Sequence, residues 1–206
     1  MVREGYWYGL PLLLIAGGLS VFHLYLLAAG FLVLALLVLN FFRDPRRDIP
    51  QEPDVIVSPA DGKIVQVMDE TQEGRLVRRL SIFMSPLDVH VNRSPIAGVI
   101  GNVSYHPGAF SIASKEEASV RNEQNVFTIE GEQGRVTVKQ IAGAVARRIV
   151  FWKRVGDRLA RGERVGLIKF GSRVDVILEP GTELRVRVGD HVHAGSSILG
   201  ITHPSP

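Results

Sequence analysis

The feature that most constrains the fold of this chain is an apolar run over residues 10–42 that contains no Asp, Glu, Lys or Arg. As one helix rising 1.5 Å per residue, it would be about 50 Å long, against roughly 30 Å for the hydrocarbon core of a bilayer. Gly17-Gly18 offers a break. We therefore predict a membrane span over 21–42, with 6–16 either lying in the interface or pairing with the span as a hairpin. A buried soluble helix is the alternative.

Positive charge is concentrated on one side of this run. Arg43, Arg46 and Arg47 follow it, whereas Arg3 alone precedes it. The positive-inside rule then predicts an anchor over 1–42 in the cell membrane, with the rest of the chain on the cytoplasmic face. The three arginines are also expected to contact anionic headgroups.

The remainder is predicted to be a linker over 43–54 and one domain over 55–206. The linker is polar and rich in proline, and the domain alternates short β-branched runs with Gly, Pro and Asp turns. This pattern predicts a mostly β fold, a barrel or sandwich. A helical turn is expected over 142–152 and a polar loop over 115–125. The predicted strands are 55–57, 63–68, 76–83, 99–103, 126–129, 135–141, 164–168, 173–178, 183–188 and 197–201.

Two phrases of this domain occur twice. Ser58-Pro59-x-x-Gly62-x-Ile64 returns as Ser94-Pro95-x-x-Gly98-x-Ile100. Val155-Gly156-Asp157-x-Leu159-x-x-Gly162 returns as Val188-Gly189-Asp190-x-Val192-x-x-Gly195. The second phrase resembles the turns of biotinyl and lipoyl barrel-sandwich domains, which predicts barrel-sandwich-hybrid-like, lipoyl-like elements. Convergent β-turn sequences are the alternative.

Composition narrows the chemistry. The 206 residues contain no cysteine, which excludes disulfides, thiolate nucleophiles and cysteine zinc sites. The formal net charge of +3 suits an acidic partner such as anionic lipid. No nucleic-acid-binding motif accompanies that charge, so a nucleic-acid partner is not expected.

The step Gly171-Ser172 is a candidate site of self-cleavage. Glycine adds no Cβ to block the approach of the serine hydroxyl to the preceding carbonyl. A histidine base and an aspartate that orients it complete an activated serine, and His90 and Asp61 are the candidates. Each residue by itself has an ordinary structural explanation, as a loop serine, a strand histidine or a turn aspartate.

Nearly the whole chain resembles the short form of the phosphatidylserine decarboxylase family, pyruvoyl-dependent membrane enzymes. The resemblance rests on several phrases that occur in order from the anchor to the last third of the sequence. They are Phe41-Phe42-Arg43-Asp44-Pro45, 58–62, 88–92, Tyr105-His106-Pro107-Gly108, Ala146-Arg147-Arg148-Ile149-Val150 and 170–174.

The resemblance implies that Ser172 attacks the carbonyl of Gly171 and becomes a covalent pyruvoyl group. The products are a large chain, 1–171, and a small chain, 172–206, which form a heterodimer. The pyruvoyl group then forms a Schiff base with phosphatidylserine, releases carbon dioxide and gives phosphatidylethanolamine. No metal or diffusible cofactor is implied.

The resemblance also implies residue roles. His90 is the base and Asp61 orients its imidazole. Longer family members carry a second histidine three residues later, where this chain has Arg93. His90 therefore serves both maturation and decarboxylation, or another group such as His106 takes one task, with His106 as a substrate-binding candidate. Arg173 replaces the Thr or Ser that many members carry after the serine.

Two other functions remain as alternatives. His191-Val192-His193 places two imidazoles at strand spacing, which would suit a membrane-anchored zinc peptidase. A non-enzymatic barrel-sandwich adaptor would explain the anchor and the repeated phrases. The sequence leaves open the diacyl or ether character of the lipid and any oligomer beyond the heterodimer.

Overall fold

The computed structural model describes residues 1–72, 74–108, 122–143, 148–169 and 172–202. The chain divides into two compact units, Met1–Arg46 and Arg47–Pro206. The boundary lies inside the predicted linker over 43–54. Among the described residues, the elements of the first unit are helices and those of the second unit are strands.

The first unit holds two helices, α1 (Arg3–Val21) and α2 (Tyr25–Phe41). The predicted break at Gly17-Gly18 is wrong, because α1 continues through both glycines. Glycine permits a break but costs only about 1 kcal/mol inside a helix, which neighbouring helical hydrogen bonds offset. The chain turns instead at His23, whose φ of 60° is left-handed.

The two helices pack against each other through glycines of α1. A Cβ added to Gly5 would lie 2.8 Å from Cβ of Phe42, and one added to Gly9 would lie 2.5 Å from Cδ2 of Leu39. Small residues thus allow the close approach. Neither helix in the described part of the chain has the combined length and apolarity needed to cross a membrane, so the predicted span over 21–42 is unsupported.

The second unit contains fourteen described strands. They are β1 (Val55–Val57), β2 (Gly62–Gln72), β3 (Arg75–Met84), β4 (Val91–Arg93), β5 (Gly98–His106), β6 (Gln124–Gly131), β7 (Gly134–Ala142), β8 (Ile149–Phe151), β9 (Arg158–Leu159), β10 (Arg164–Ile168), β11 (Ser172–Leu178), β12 (Glu183–Leu184), β13 (His191–Val192) and β14 (Ile198–Ile201).

Eight of these strands form one curled, half-barrel sheet in the order β13-β2-β3-β11-β7-β6-β5-β9. Two smaller sheets, β1-β14-β12 and β4-β10-β8, complete the domain. The pairs within all three sheets are antiparallel. Each predicted strand overlaps an observed one, which confirms the mostly β prediction.

Two local predictions need correction, and a third is only partly covered by the described residues. Of the range 142–152, where a helical turn is predicted, Ala142 belongs to β7 and Ile149–Phe151 form β8, and the amide of Trp152 bonds the carbonyl of Val165 in β10. Residues 144–147 lie outside the described chain, so the helical turn stays a prediction. Within 115–125, Gln124 and Asn125 already belong to β6, and 115–121 are likewise outside. The strand predicted over 183–188 ends at Leu184.

The core lies against one face of the curled sheet. Alternate residues of the central strands face it, as period-2 strand geometry requires. Its fully buried members include Ile64, Ile82, Val138, Val174 and Phe127.

The repeated phrases occupy equivalent places in the domain. The amide of Gly195 bonds the carbonyl of Ser58 at 2.8 Å, and the amide of Gly162 bonds the carbonyl of Ser94 at 2.8 Å. The neighbouring bonds also match: Ile64 to Asp190 is 2.9 Å, and Ile100 to Asp157 is 3.0 Å. The domain therefore consists of two similar, interwoven halves.

This likeness extends across the large sheet to its two ends. In one half Gly62 pairs with Val192, and in the other Gly98 pairs with Leu159. Following the register, the pair Met84–Ser172 corresponds to the pair Gly131–Gly134. We call the end that contains Met84, Asp61 and Ser172 the Ser172 end, and the end that contains Gly131 and Gly134 the Gly134 end.

Candidate functional site

Ser172 begins β11 and lies between two neighbouring strands. Its backbone partners are Met84 on β3 and Ala142 on β7. The residue is fully buried, and its hydroxyl donates to the sulfur of Met84 at 3.3 Å. Gly171, the other half of the predicted cleavage site, lies outside the described residues. A buried serine at a strand start is thereby held with its hydroxyl facing the interior.

His90 lies immediately before β4, close to the segment that leads into Ser172. Its carbonyl accepts a hydrogen bond from the amide of Ile168, the last residue of β10, at 3.3 Å. The imidazole is buried, and its Nδ1 lies 3.0 Å from the carbonyl oxygen of Asp88. Because a carbonyl only accepts, Nδ1 carries the proton, and in the neutral ring the lone pair is on Nε2. This tautomer suits a base that acts through Nε2.

Asp61 lies at the same end of the sheet, directly before Gly62 of β2. Its carboxylate accepts hydrogen bonds from Arg47 at 2.8 and 2.9 Å and from the amide of Ala194 at 2.8 Å. Nδ1 of His193 lies 3.3 Å from it. Within the described chain these are its side-chain partners, and a hydrogen bond to His90 is not among them. The catalytic roles of Asp61 and His90 therefore stay predictions.

Arg47 is a site residue that the sequence analysis assigned to lipid headgroups. Its side chain is only 11% exposed, and its Nη2 bonds both carboxylate oxygens of Asp61. Arg46, its neighbour, is exposed. Nothing in the order of residues distinguishes these two arginines, because the partner lies fourteen residues away across a turn.

A chain of buried amides approaches Ser172 from inside the domain. Asn125 donates to Oε1 of Gln140, and Gln140 donates to Oδ1 of Asn92, each at 2.8 Å. The amide nitrogen of Asn92 lies 3.9 Å from the Met84 sulfur that also receives the Ser172 hydroxyl. The sequence pattern assigned no role to these residues, although an asparagine directly after the alternating Val89-His90-Val91 is a usable signal.

The two remaining histidine-related positions lie elsewhere. Arg93, at the position of the second histidine in longer relatives, is buried and donates from Nη1 to the carbonyl of Gly162 at 2.9 Å. His106 ends β5, is exposed, and shares a 2.9 Å hydrogen bond with Ser104. It pairs with Gln124 of β6, and its own strand, β5, is the third strand from β11 in the large sheet. Its predicted substrate-binding role stays a prediction.

On the face of the sheet opposite to the core residues Val174 and Val176, Arg173 lies at the start of β11. Its guanidinium bonds Asp175 through Nε and Ser81 through Nη2, both at 2.6 Å. Arg79 joins this buried group at 3.5 Å from Asp175 and bonds Glu70 at 2.9 Å. Burial raises the pKa of Glu70, but the hydrogen bonds from Gln72 and Arg79 lower it by more. The pKa of Glu70 is therefore below its usual value. Ser172 is thus followed at once by a buried ion cluster.

The histidine pair proposed for zinc is divided between two carboxylates. Nε2 of His191 lies 3.3 Å from Asp88, whereas His193 faces Asp61. In the part of the chain that the structure describes, no group of three or more His, Asp or Glu side chains is arranged to bind a metal ion. The zinc peptidase alternative therefore has no site among these residues.

The amino-acid sequence matches known proteins over most of its length. The sequence profile described as phosphatidylserine decarboxylase matches residues 34–200. A phosphatidylserine decarboxylase proenzyme of Solibacter usitatus is 53% identical over 199 residues, covering 97% of this chain and 95% of the relative. Proenzymes of the same name from Geotalea uraniireducens and Burkholderia ambifaria are 44% and 46% identical, covering 98% and 82% of this chain and 96% and 80% of the relatives.

Proposed function

The chain belongs to the phosphatidylserine decarboxylase family, and we propose that it matures by cutting itself between Gly171 and Ser172 and then decarboxylates phosphatidylserine. Members of this family use a covalently bound pyruvoyl group. The observation that carries the proposal for this chain is the position of Ser172. It is a fully buried serine at the first residue of β11, inside the matched region.

The surroundings of Ser172 fit a pyruvoyl group. Such a group is no larger than the serine that it replaces, so the space between Met84 and Ala142 accommodates it without repacking. Both neighbours are fully buried, which keeps bulk water from a reactive ketone.

Cleavage begins when Oγ of Ser172 bonds to the carbonyl carbon of Gly171 and the bond from that carbon to the Ser172 nitrogen breaks, which gives an ester and a free amine. Nε2 of His90 takes the hydroxyl proton in this step and passes it to the leaving nitrogen. Loss of the α-proton of residue 172 then expels the Gly171 carboxylate and leaves dehydroalanine. Addition of water releases ammonia and leaves the pyruvoyl group.

During turnover the chain's own residues bind, shield and move protons. The chemistry that a pyruvoyl group supplies, once formed from Ser172, is an electron sink for loss of carbon dioxide from an amino acid amine. His90, only 2% exposed, holds a proton on Nε2 for return to the substrate carbon. Asp61 adds a fixed negative charge at the same end of the sheet.

The two products are proposed to remain a heterodimer. Residues 172–202 contribute β11 between β3 and β7, β13 beside β2, and β14 beside β1. These pairings do not depend on the peptide bond that is cut. The two interwoven halves also support assignment of the domain to the barrel-sandwich-hybrid class.

We place the enzyme at the cytoplasmic face of the cell membrane. The helical unit exposes large apolar side chains that a lipid surface would cover. Examples are Trp7 and Leu14, each 75% exposed, and Leu26, 89% exposed. Arg43 and Arg46 follow these helices and fit anionic headgroups.

Intact-mass analysis of the protein purified from its membrane tests the proposal. We expect two chains split between residues 171 and 172, with the small chain about 17 Da lighter than its sequence because serine nitrogen leaves as ammonia. Ser172→Ala should stay as one chain, and the control Ser104→Ala should be cut normally. The cut protein should release carbon dioxide from phosphatidylserine vesicles. A folded wild-type chain that stays intact would refute the proposal.

A further inference from the structure

Asp61 is the meeting point of three distant pieces of the chain. Arg47 comes from the segment that precedes the β domain, and His193 and Ala194 come from the predicted small chain. The carboxylate is 6% exposed, so these contacts form with little competition from water. We call Arg47, Asp61 and His193 the Asp61 cluster.

The fold does not require the Asp61 cluster. In the other half of the domain, Ala97 and Ala160 occupy the positions of Asp61 and His193. The backbone there makes the same turn, with Gly162 bonded to Ser94 at the same 2.8 Å that joins Gly195 to Ser58. Since alanines support this turn equally well, the charged residues serve something other than the backbone geometry.

Arg47 is committed to this carboxylate. Within the described chain its guanidinium hydrogen-bonds Asp61 alone, and its buried Nε has no hydrogen-bond partner. A buried cation with one partner is a weak source of stability, because desolvation offsets the attraction. What the pair does provide is a carboxylate fixed in position.

That position is tied to Ser172 through the sheet. Asp61 precedes Gly62, the first residue of β2, which the register places opposite Met84 of β3, and Met84 pairs with Ser172. Strands are about 4.8 Å apart, so the two backbones are separated by about 10 Å across one intervening strand. A shift of the Asp61 carboxylate would therefore alter the charge around the reacting serine.

We propose that Arg47 is a positioning residue of the Ser172 site, which acts by holding the carboxylate of Asp61 in place. This inference rests on the proposed function and adds a residue to it. It also gives Arg47 a role different from that of Arg46, although the two are adjacent and carry the same charge.

The test compares Arg47→Gln with the control Arg135→Gln in the full-length protein, because Arg135 is an exposed arginine that also contacts a carboxylate, that of Glu130. The readouts are the rate of chain cleavage after synthesis and kcat of the cut enzyme on phosphatidylserine vesicles. We expect Arg47→Gln to slow cleavage or turnover at least 10-fold, Arg47→Lys to recover part of that loss, and Arg135→Gln to stay within twofold of wild type. Urea unfolding of each variant reports whether the fold is kept.

A double-mutant cycle separates positioning from a general structural role. In an Asp61→Asn background, Arg47→Gln should add less than a twofold further loss, because its target carboxylate is already gone. The same fold-loss in both backgrounds, or a wild-type rate for Arg47→Gln, would overturn the inference. A wild-type protein that is never cut would instead contradict the proposed function, so the two failures are distinguishable.

Discussion

At the Ser172 end of the half-barrel, several positions carry polar side chains, whereas the equivalent positions of the Gly134 end carry small or apolar ones. Asp61 and His193 of the Ser172 end correspond in position to Ala97 and Ala160 of the Gly134 end. Ser172 corresponds to Gly134, which closes a tight hairpin with a φ of 87°. Both ends keep the same backbone bonds.

Two of the three buried amides show the same difference. Asn92 on β4 corresponds to Ile56 on β1, since each pairs with a glycine of its neighbouring strand. Gln140 on β7 corresponds to Leu178 on β11, whereas the third amide, Asn125, corresponds to Arg78. Apolar residues therefore suffice at the positions of Asn92 and Gln140. Buried polar groups therefore mark the end of the domain where chemistry is proposed. Burying them costs free energy, and apolar residues at the same positions would pack without that cost.

The largest expected effect is the loss of cleavage on replacing His90, compared with replacing its counterpart Asp54 in the other half of the domain. The carbonyl of His90 bonds Ile168 and that of Asp54 bonds Thr202, so the two residues are equivalent. His90→Gln should slow cleavage about 10²–10⁴-fold through loss of the base, measured by gel analysis of newly made chains. Asp54→Asn, at an exposed position, should leave cleavage unchanged. Equal rates for all three proteins would remove His90 from the mechanism.

A second comparison concerns the two arginines that follow Ser172 and Gly134. Arg173 lies in a buried cluster with Asp175, whereas Arg135 makes an exposed contact with Glu130 at 3.4 Å. Arg173→Met should destabilise the protein by about 3–5 kcal/mol, because it removes the principal cation beside a buried carboxylate. Arg135→Met should cost less than about 1 kcal/mol. Urea unfolding measures both, and similar losses would mean that burial does not set the difference.

The third prediction replaces a buried amide of the Ser172 end with the apolar residue found at the equivalent position of the Gly134 end. Gln140→Leu copies Leu178 of the Gly134 end but leaves Asn92 and Asn125 without their shared partner. We expect a loss of about 2–4 kcal/mol in the free energy of unfolding, from two unsatisfied buried groups. Adding Asn92→Ile should cost less than the sum of the two single changes. Additive losses would show that the amides do not act as one network.

The smallest effect is a pH dependence at the Gly134 end. A hydrogen bond from Lys153 lowers the pKa of Glu163 below its usual 4.5. Stability from this depressed carboxyl is present above the unfolded pKa and is lost as pH falls through the folded pKa, so it fades below about pH 4.5. Because the pair is partly exposed, Glu163→Gln should remove less than about 1 kcal/mol at pH 7 and little at pH 3.

The matched control is Ser197. Its hydroxyl accepts a hydrogen bond from the amide of His193, just as the Glu163 carboxylate accepts one from the amide of Ala160. Ser197→Ala should change stability equally at pH 7 and pH 3, because a hydroxyl carries no titrating charge. Thermal unfolding at the two pH values checks this. A pH-dependent loss for Ser197→Ala would contradict the assignment of the effect to the carboxylate.

The strands of the β domain, the repeated phrases and the family resemblance can all be predicted from the order of residues alone. Alternating β-branched runs between Gly, Pro and Asp turns specify strands locally, and the phrases around Ser172 and His90 carry the resemblance. The order of residues is less informative about the helices, since an apolar run does not fix where a helix ends. The turn at His23 rather than at Gly17-Gly18 depends on how α1 and α2 pack.

Which polar groups contact one another depends on how the strands assemble in three dimensions. Asp61 and His193 are separated by 132 positions, and Gln140 and Asn92 by 48. Their contacts depend on strand register and on sheets built from non-consecutive strands, which local propensity does not encode. For that reason Arg47 and Arg46 look alike in the sequence, and burial beside a carboxylate alone distinguishes them.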